Sequence, residues 1–276
     1  MAIVEIQPRI GAESATRTAF LVIDTESVPD GRLLNLVKYR DQKLSDDEAV
    51  EKARAEQRET SWTGSDFLPV SFQVPVAVCV VRVAADFSLQ AIKCLDAPLF
   101  RPREIVRQFW LGVPLYEKAR LVTFNGRTFD MPLLELAAFR YGMSVPPAYI
   151  DQTRNRYRGA NDVLDWLTNY GAARLAGGLD LLAKLLGKPG KMDVSGDQVY
   201  ALYREGRGQE INDYCMFDTL DTYFVFLRTC VMRGEITLEQ EAELTAKAKD
   251  FLAGKLDELP ALRRYLENWS DWQPWP

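Results

Sequence analysis

The sequence predicts an α/β protein, a mixed β-sheet flanked by α-helices. Three observations point there: short β-rich apolar runs recur between residues 20 and 124, stretches with helical spacing alternate with them, and helices complete the chain. The order along the chain is strand, hairpin, helix, strand, helix, strand, helix, which suits one sheet covered by helices. A length of 276 residues with 47% hydrophobic and 26% charged residues fits one elaborated domain better than two small ones. We place its core at about 18–230, a helical insertion at about 44–60 and a helical extension at about 235–276, with no internal repeat.

The first strand is FLVIDTES, residues 20–27. Side chains alternate along a strand, so Asp24 and Glu26 leave one face together, roughly 6.5–7 Å apart along the backbone, while Thr25 leaves the other. Like charges side by side repel unless a cation lies between them. SDDE, residues 45–48, is a capping box that opens the helical insertion, either a solvated surface helix or the flank of a cleft. Residues 73–83 and 87–95 form a hairpin turning near Asp86, with the strand proper starting after Pro75. A helix over residues 103–111 precedes a strand over LVTF, residues 121–124, and a helix over 131–141 keeps Pro132 in its first turn. Residues 148–151 read as a last short strand. TLEQ, residues 237–240, is a second capping box, opening a charged amphipathic helix.

Composition excludes several chemistries. The chain has no histidine, so a serine-histidine triad, a histidine-ligated zinc or non-haem iron site and a histidine general base are impossible. Acid-base and metal chemistry must use carboxylates, tyrosine, lysine or cysteine, and clustered carboxylates suit Mg²⁺ or Mn²⁺. Cys79, Cys94, Cys215 and Cys230 are widely spaced with no CxxC pair, which reads as reduced core thiols. A net charge of -5 argues against broad coating of nucleic acid by a basic face, though it leaves room for a cleft where metal ions meet phosphates. Residues 1–18 lack the pattern of a secretory signal and no apolar run approaches a membrane span, which predicts a cytoplasmic protein without membrane contact.

Two further patterns carry acids. NGRTFD, residues 125–130, leaves the LVTF strand through Asn-Gly and sets Asp130 at the next helix start, where an acid is also a routine dipole-stabilising choice. NDYCMFD, residues 212–218, lies in a helix and puts Tyr214 and Asp218 on one face. GKPGK, residues 187–191, lacks the upstream glycine and following Ser or Thr of a P-loop, so a helix stop capped by Gly187 is the better reading.

DTE at a strand end, NGxxFD on the following strand-to-helix loop and YxxxD on a late helix occur in order. This arrangement resembles the tyrosine subgroup of the DEDD (DnaQ-like) superfamily of 3′-5′ exonucleases. It is most similar to the predicted exonucleases related to the proofreading domain of family B DNA polymerases. FLPVSFQVPVAVCVV, GLDLLAKLLGKPGK and SGDQVYALYREG look like that family's connecting segments. The likeness runs from about Phe20 to Arg228 and implies a ribonuclease H-like fold. It departs from the family at Gln73, where a histidine is expected, and at Asn161 beside Asp162.

The resemblance implies a metal-dependent exonuclease that releases nucleoside monophosphates from single-stranded 3′ ends, DNA ahead of RNA. Asp24, Glu26, Asp130 and Asp218 would hold two Mg²⁺ or Mn²⁺ ions, Asp130 serving the second through water, and Tyr214 would orient the attacking water. Thr25, Asn125, Arg127 and Phe129 would contact substrate, although Arg127 is equally a solvated turn residue. Asp162 is either an auxiliary acid of the cleft or a helix cap. Arg154, Arg156 and Arg158 around Tyr157, with Lys184, Lys188 and Lys191, could track a strand or simply be solvated. Trp269, Trp272 and Trp275 could stack on bases, bind a protein partner or pack back on the domain. The alternative function is a scaffold that binds nucleic acid on the same fold without turnover. With no room for a polymerase, any proofreading role would act in trans.

Overall fold

A computed structural model describes residues 17–116, 118–155, 160–192 and 196–274. Five strands form one mixed sheet in the order β3-β2-β1-β4-β5. They are β1 (Thr18–Pro29), β2 (Gln73–Ala84), β3 (Leu89–Cys94), β4 (Arg120–Thr123) and β5 (Asn161–Asp162). β1, the central strand, pairs antiparallel with β2 and parallel with β4, and β4 pairs parallel with β5. With helices on both faces, this is the α/β, ribonuclease H-like fold that the sequence predicts.

Strand alternation sorts the core into two layers. Leu21, Ile23, Val78 and Leu121 pack beneath α3 (Pro102–Gly112), α4 (Asp130–Tyr141) and α5 (Pro147–Thr153). Val22, Cys79, Val81 and Val83 face the opposite layer, dominated by the 25-residue α9 (Gly208–Met232). Short helices α6 (Val163–Leu167), α7 (Gly178–Leu185) and α8 (Val199–Arg204) precede α9, and α10 (Leu238–Ala253) and α11 (Leu262–Glu267) follow it. Both predicted capping boxes are present: Ser45 and Glu48 open α2 (Asp46–Thr60), and Thr237 and Gln240 open α10. α1 (Gly31–Val37) and α2 bury Leu34, Tyr39, Val50 and Ala53 in a small cluster of their own with Leu68.

Two expectations are corrected. Residues 148–151, read as a strand, belong to helix α5, which Pro147 starts where a missing N–H costs nothing. Gln152 on that helix serves the backbone as a strand would: its Oε1 accepts from Leu121 N (3.0 Å) and its Nε2 donates to Ala119 O (2.9 Å). The fifth strand is instead the two-residue β5, too short to leave a periodic signature. The second correction concerns Pro75, which lies inside β2 at a register shift opposite Ser27. β3 pairs with β2 only from Cys79 onward, so one edge of β2 is open at Pro75.

All four cysteines are free and buried, as expected of core thiols. Cys79 and Cys94 are register partners whose sulfurs lie 3.7 Å apart. Gly187 stops α7 with φ +69° and its N–H on Lys184 O, as the helix-stop reading predicts. Among the described residues, no helix is long and apolar enough to cross a membrane. Trp269 is 8% exposed, its ring centroid 4.8 Å from that of Phe224, and Trp272 packs under Arg228. Arg156, Tyr157, Arg158 and Trp275 lie outside the described residues.

Candidate active site

The alternation that builds the core also aims the acids. Asp24 and Glu26 continue the Val22 face of β1 and meet α9, which supplies Asp218. Carboxylate oxygens of Asp24, Glu26 and Asp218 all lie within 4.8 Å of one another. Cys215, on the same helix, donates from Sγ to Asp24 O at 3.3 Å and pins α9 to β1 at this point. Tyr214, one turn before Asp218, is 7% exposed and turns its hydroxyl to the Asp218 carboxylate.

Asp130 arrives from the other side of the sheet and is not one of this trio. Thr25, continuing the Leu21 and Ile23 face, donates from Oγ1 to Asp130 Oδ1 at 2.7 Å. Asp130 is 2% exposed at the start of α4 and close enough to repel the charges of Asp24 and Glu26.

These acids are held against their own electrostatics. Burial, then repulsion from Asp130, Asp218 and Glu26, raises the Asp24 carboxyl well above the usual carboxylate range. Glu26 is raised the same way by burial, Asp218 and Asp130, with the Lys191 charge opposing. Burial lifts Asp218 to about 6 against the Tyr214 hydroxyl and Lys191, and lifts Asp130 to about 7 against the Thr25 hydroxyl. Burial, then Asp218, holds the Tyr214 phenol far above its ordinary value.

The donor set fits divalent cations. Asp24 Oδ2 is buried without a hydrogen-bond partner, and among the described residues no lysine or arginine is ion-paired with Asp24, Glu26 or Asp218. Hard oxygen ligands packed against repulsion, with an orphaned oxygen, are what Mg²⁺ or Mn²⁺ would neutralise.

The loop before Asp130 has an organiser that motif spacing leaves undecided. Asp162 takes the helix-cap role: its carboxylate accepts from Leu164 N (3.1 Å) and Asp165 N (3.3 Å) of α6. It also accepts from Asn125 N and Arg127 N, both at 2.9 Å, and so clamps the NGRTFD loop to β5. Asn125 sits at φ +65°, and a Cβ on Gly126 would collide with the Thr123 side chain, so the tight turn needs both residue types. Arg127 forms an ion pair with Asp165 (2.6 Å), Asn125 is exposed with Oδ1 accepting from Thr128, and Phe129 is half-buried.

Of the other cations named in the sequence, Arg154, Lys184 and Lys188 have partners. Arg154 pairs with Glu135 at 2.6 Å and Lys184 with Asp180 at 2.8 Å. Lys188 is buried, with Nζ 4.1 Å from the Trp269 ring centroid. Asp180 Oδ1 also accepts from Lys191 N at 2.7 Å, which sets the position of a lysine whose charge reaches Glu26 and Asp218. Sequence reasoning missed Asp221, one turn beyond Asp218, which is fully buried and accepts from Tyr265 Oη at 2.6 Å. Its spacing of three from Asp218 was the available signal.

A family model described as "Predicted 3'-5' exonuclease related to the exonuclease domain of PolB" matches residues 65–269. The matched segment contains Asp130, Tyr214 and Asp218 and begins beyond Asp24 and Glu26. No curated protein matches the chain.

Proposed function

Because the chain belongs to the family of predicted 3′-5′ exonucleases related to the exonuclease domain of PolB, we propose that it trims single-stranded nucleic acid from the 3′ end, DNA ahead of RNA, releasing nucleoside 5′-monophosphates. The observation that carries this reading is the meeting of Asp24 and Glu26 from β1 with Asp218 from α9, within 4.8 Å and beside Tyr214.

In this reading Asp24, Glu26 and Asp218 would hold Mg²⁺ or Mn²⁺, and Asp130 would serve a second ion. When bound there, divalent cations would supply a lowered pKa for an attacking water and neutralisation of charge on the departing 3′-oxygen. Tyr214 stays protonated at neutral pH because burial and the neighbouring carboxylates oppose its ionisation. Its hydroxyl therefore orients water or phosphate and is not the base. Thr25 keeps Asp130 turned to the strand end, and the Asp162 clamp presents Asn125 to the terminal nucleotide, with Phe129 on the substrate side of the same loop. Lys191 brings positive charge to the Glu26 and Asp218 side of the cleft, where the phosphodiester would lie. The free thiols suit a reducing, cytoplasmic compartment.

The test follows a 5′-labelled single strand with Mg²⁺ or Mn²⁺, with EDTA, and with Asp24→Ala, using DNA and RNA in parallel. A ladder shortening from the 3′ end, lost with EDTA and in the variant, is the expected result. No metal-dependent shortening of either polymer by folded protein would overturn the reading in favour of a binding protein.

A further inference from the structure

Between α2 and β2, residues 61–72 form a strap that meets the carboxyl end of β1, where Phe72 O accepts from Asp30 N at 2.8 Å, and touches Phe129 on the loop that leaves β4, the end of an open α/β sheet at which ligands collect. It carries two exposed aromatics, Trp62 at 97% and Phe67 at 51%. Exposure alone means little, since single apolar residues are common on surfaces. The Phe67 ring, however, meets that of Phe129 edge-on with centroids 5.6 Å apart, and Phe129 is the residue before Asp130.

The strap is fixed at both ends of this contact. Leu68 is buried in the α1–α2 cluster, and its carbonyl accepts from Gln73 Nε2 at 3.1 Å. Gln73, 5% exposed, accepts through Oε1 from Ser27 Oγ at 3.3 Å, and Ser27 follows Glu26 on β1. Asp66, beside Phe67, accepts from Arg54 at 2.9 Å and Arg58 at 2.7 Å. A half-exposed ring pair is thus held next to Asp130, whose carboxylate lies close enough to repel Asp24 and Glu26. Trp62, five residues earlier, lies at most about 18 Å along the chain from Phe67, within reach of the same strand.

Resting on the exonuclease reading, we infer that Phe67 and Phe129 form a platform for the first bases 5′ of the scissile linkage and that Trp62 receives a base farther out. The occupant is a single strand, because paired bases offer no free face to stack. Gln73 is the positioning residue that ties this platform to the strand carrying Asp24 and Glu26.

The experiment compares wild type with Phe67→Ala, Phe67→Leu, Phe67→Trp and Trp62→Ala in the full chain. Substrates are a ten-nucleotide single strand, a dinucleotide and the p-nitrophenyl ester of thymidine 5′-monophosphate, which has one base only. For Phe67→Ala and Phe67→Leu, we expect KM on the decamer to rise roughly tenfold more than on the ester, with Phe67→Trp restoring it. For Trp62→Ala the loss appears on the decamer and not on the dinucleotide. Equal losses on decamer and ester, or an intact Phe67→Leu, would overturn the platform while leaving the exonuclease standing. Anisotropy of a labelled strand in EDTA reads stacking without turnover: a Kd unchanged by Phe67→Ala overturns the inference even if no substrate is cut, and a roughly tenfold weaker Kd supports it.

Discussion

The Thr25 hydroxyl donates to Asp130 at 2.7 Å from one face of β1, while Asp24 and Glu26, its neighbours on either side, leave by the other. One three-residue stretch therefore serves both layers of the molecule. Thr25→Val keeps the shape and removes the donor, leaving a buried carboxyl short of a partner at a cost of about 1–2 kcal/mol. Because that hydroxyl lowers the Asp130 pKa, its loss moves the carboxyl further above about 7. Metal-dependent nucleotide release by this variant then needs a higher pH, read as an alkaline shift of the rising limb of the rate profile.

Metal-free protein has an inverted pH dependence at this site. Asp24, Glu26, Asp218 and Asp130 all carry folded-state pKa values above their ordinary ones, the last two at about 6 and about 7. The stability they contribute is full below the ordinary carboxylate value and is lost as pH rises through the folded values. In EDTA, Tm should fall between about pH 5 and about pH 8, and Asp24→Asn should flatten that fall by removing one of the repelling charges. Added Mg²⁺ or Mn²⁺ should raise Tm most at the alkaline end in wild type and little in the variant. A rise of metal-free Tm with pH would contradict the arrangement.

Lys191 offers a second electrostatic test. Its charge lowers Glu26 and Asp218 and equally opposes a dication held by them, so Lys191→Ala should leave both carboxyls higher and tighten Mg²⁺ binding more at about pH 8, where they are ionised, than at neutral pH, where protons compete. Titration calorimetry at the two pH values reads the difference.

Behind the site, Tyr265 on α11 donates to Asp221 on α9 at 2.6 Å, both side chains fully buried. Tyr265→Phe removes the only hydrogen bond between those side chains and should cost about 1–3 kcal/mol in urea unfolding at neutral pH. Burial, with Asp218 adding repulsion, lifts Asp221 to about 8, so its stabilising protonated form is lost as pH climbs through that value. Asp221→Asn should make the stability of the protein less sensitive to pH between about 6 and about 9.

What could be read beforehand follows from the range of each signal. Asp24 and Glu26 share a face by the two-residue period of a strand, and Tyr214 and Asp218 by the four-residue spacing of a helix, so both pairs were legible locally. The helix cap at Asp162 was legible too, but its clamp on Asn125 and the tie from Gln73 to Ser27 were not, because they span 37 and 46 residues. The encounter of Cys79 with Cys94 depends on hairpin register, which two separated cysteines do not announce. The misread segment at residues 148–151 is apolar and short, and only the Gln152 contacts with the start of β4 explain why a helix fills that place.

β1 has a further consequence for anyone cutting the gene. The recognisable segment starts at residue 65, yet the central strand ends at Pro29. A fragment beginning at residue 65 would keep β2 with β3 and β4 with β5, two ribbons whose inner edges both lost their common partner. Such a fragment should express as aggregate, with unpaired edges free to recruit other chains. A peptide spanning residues 17–30, added in trans, is the insert that could close the gap and restore the missing two acids in one step.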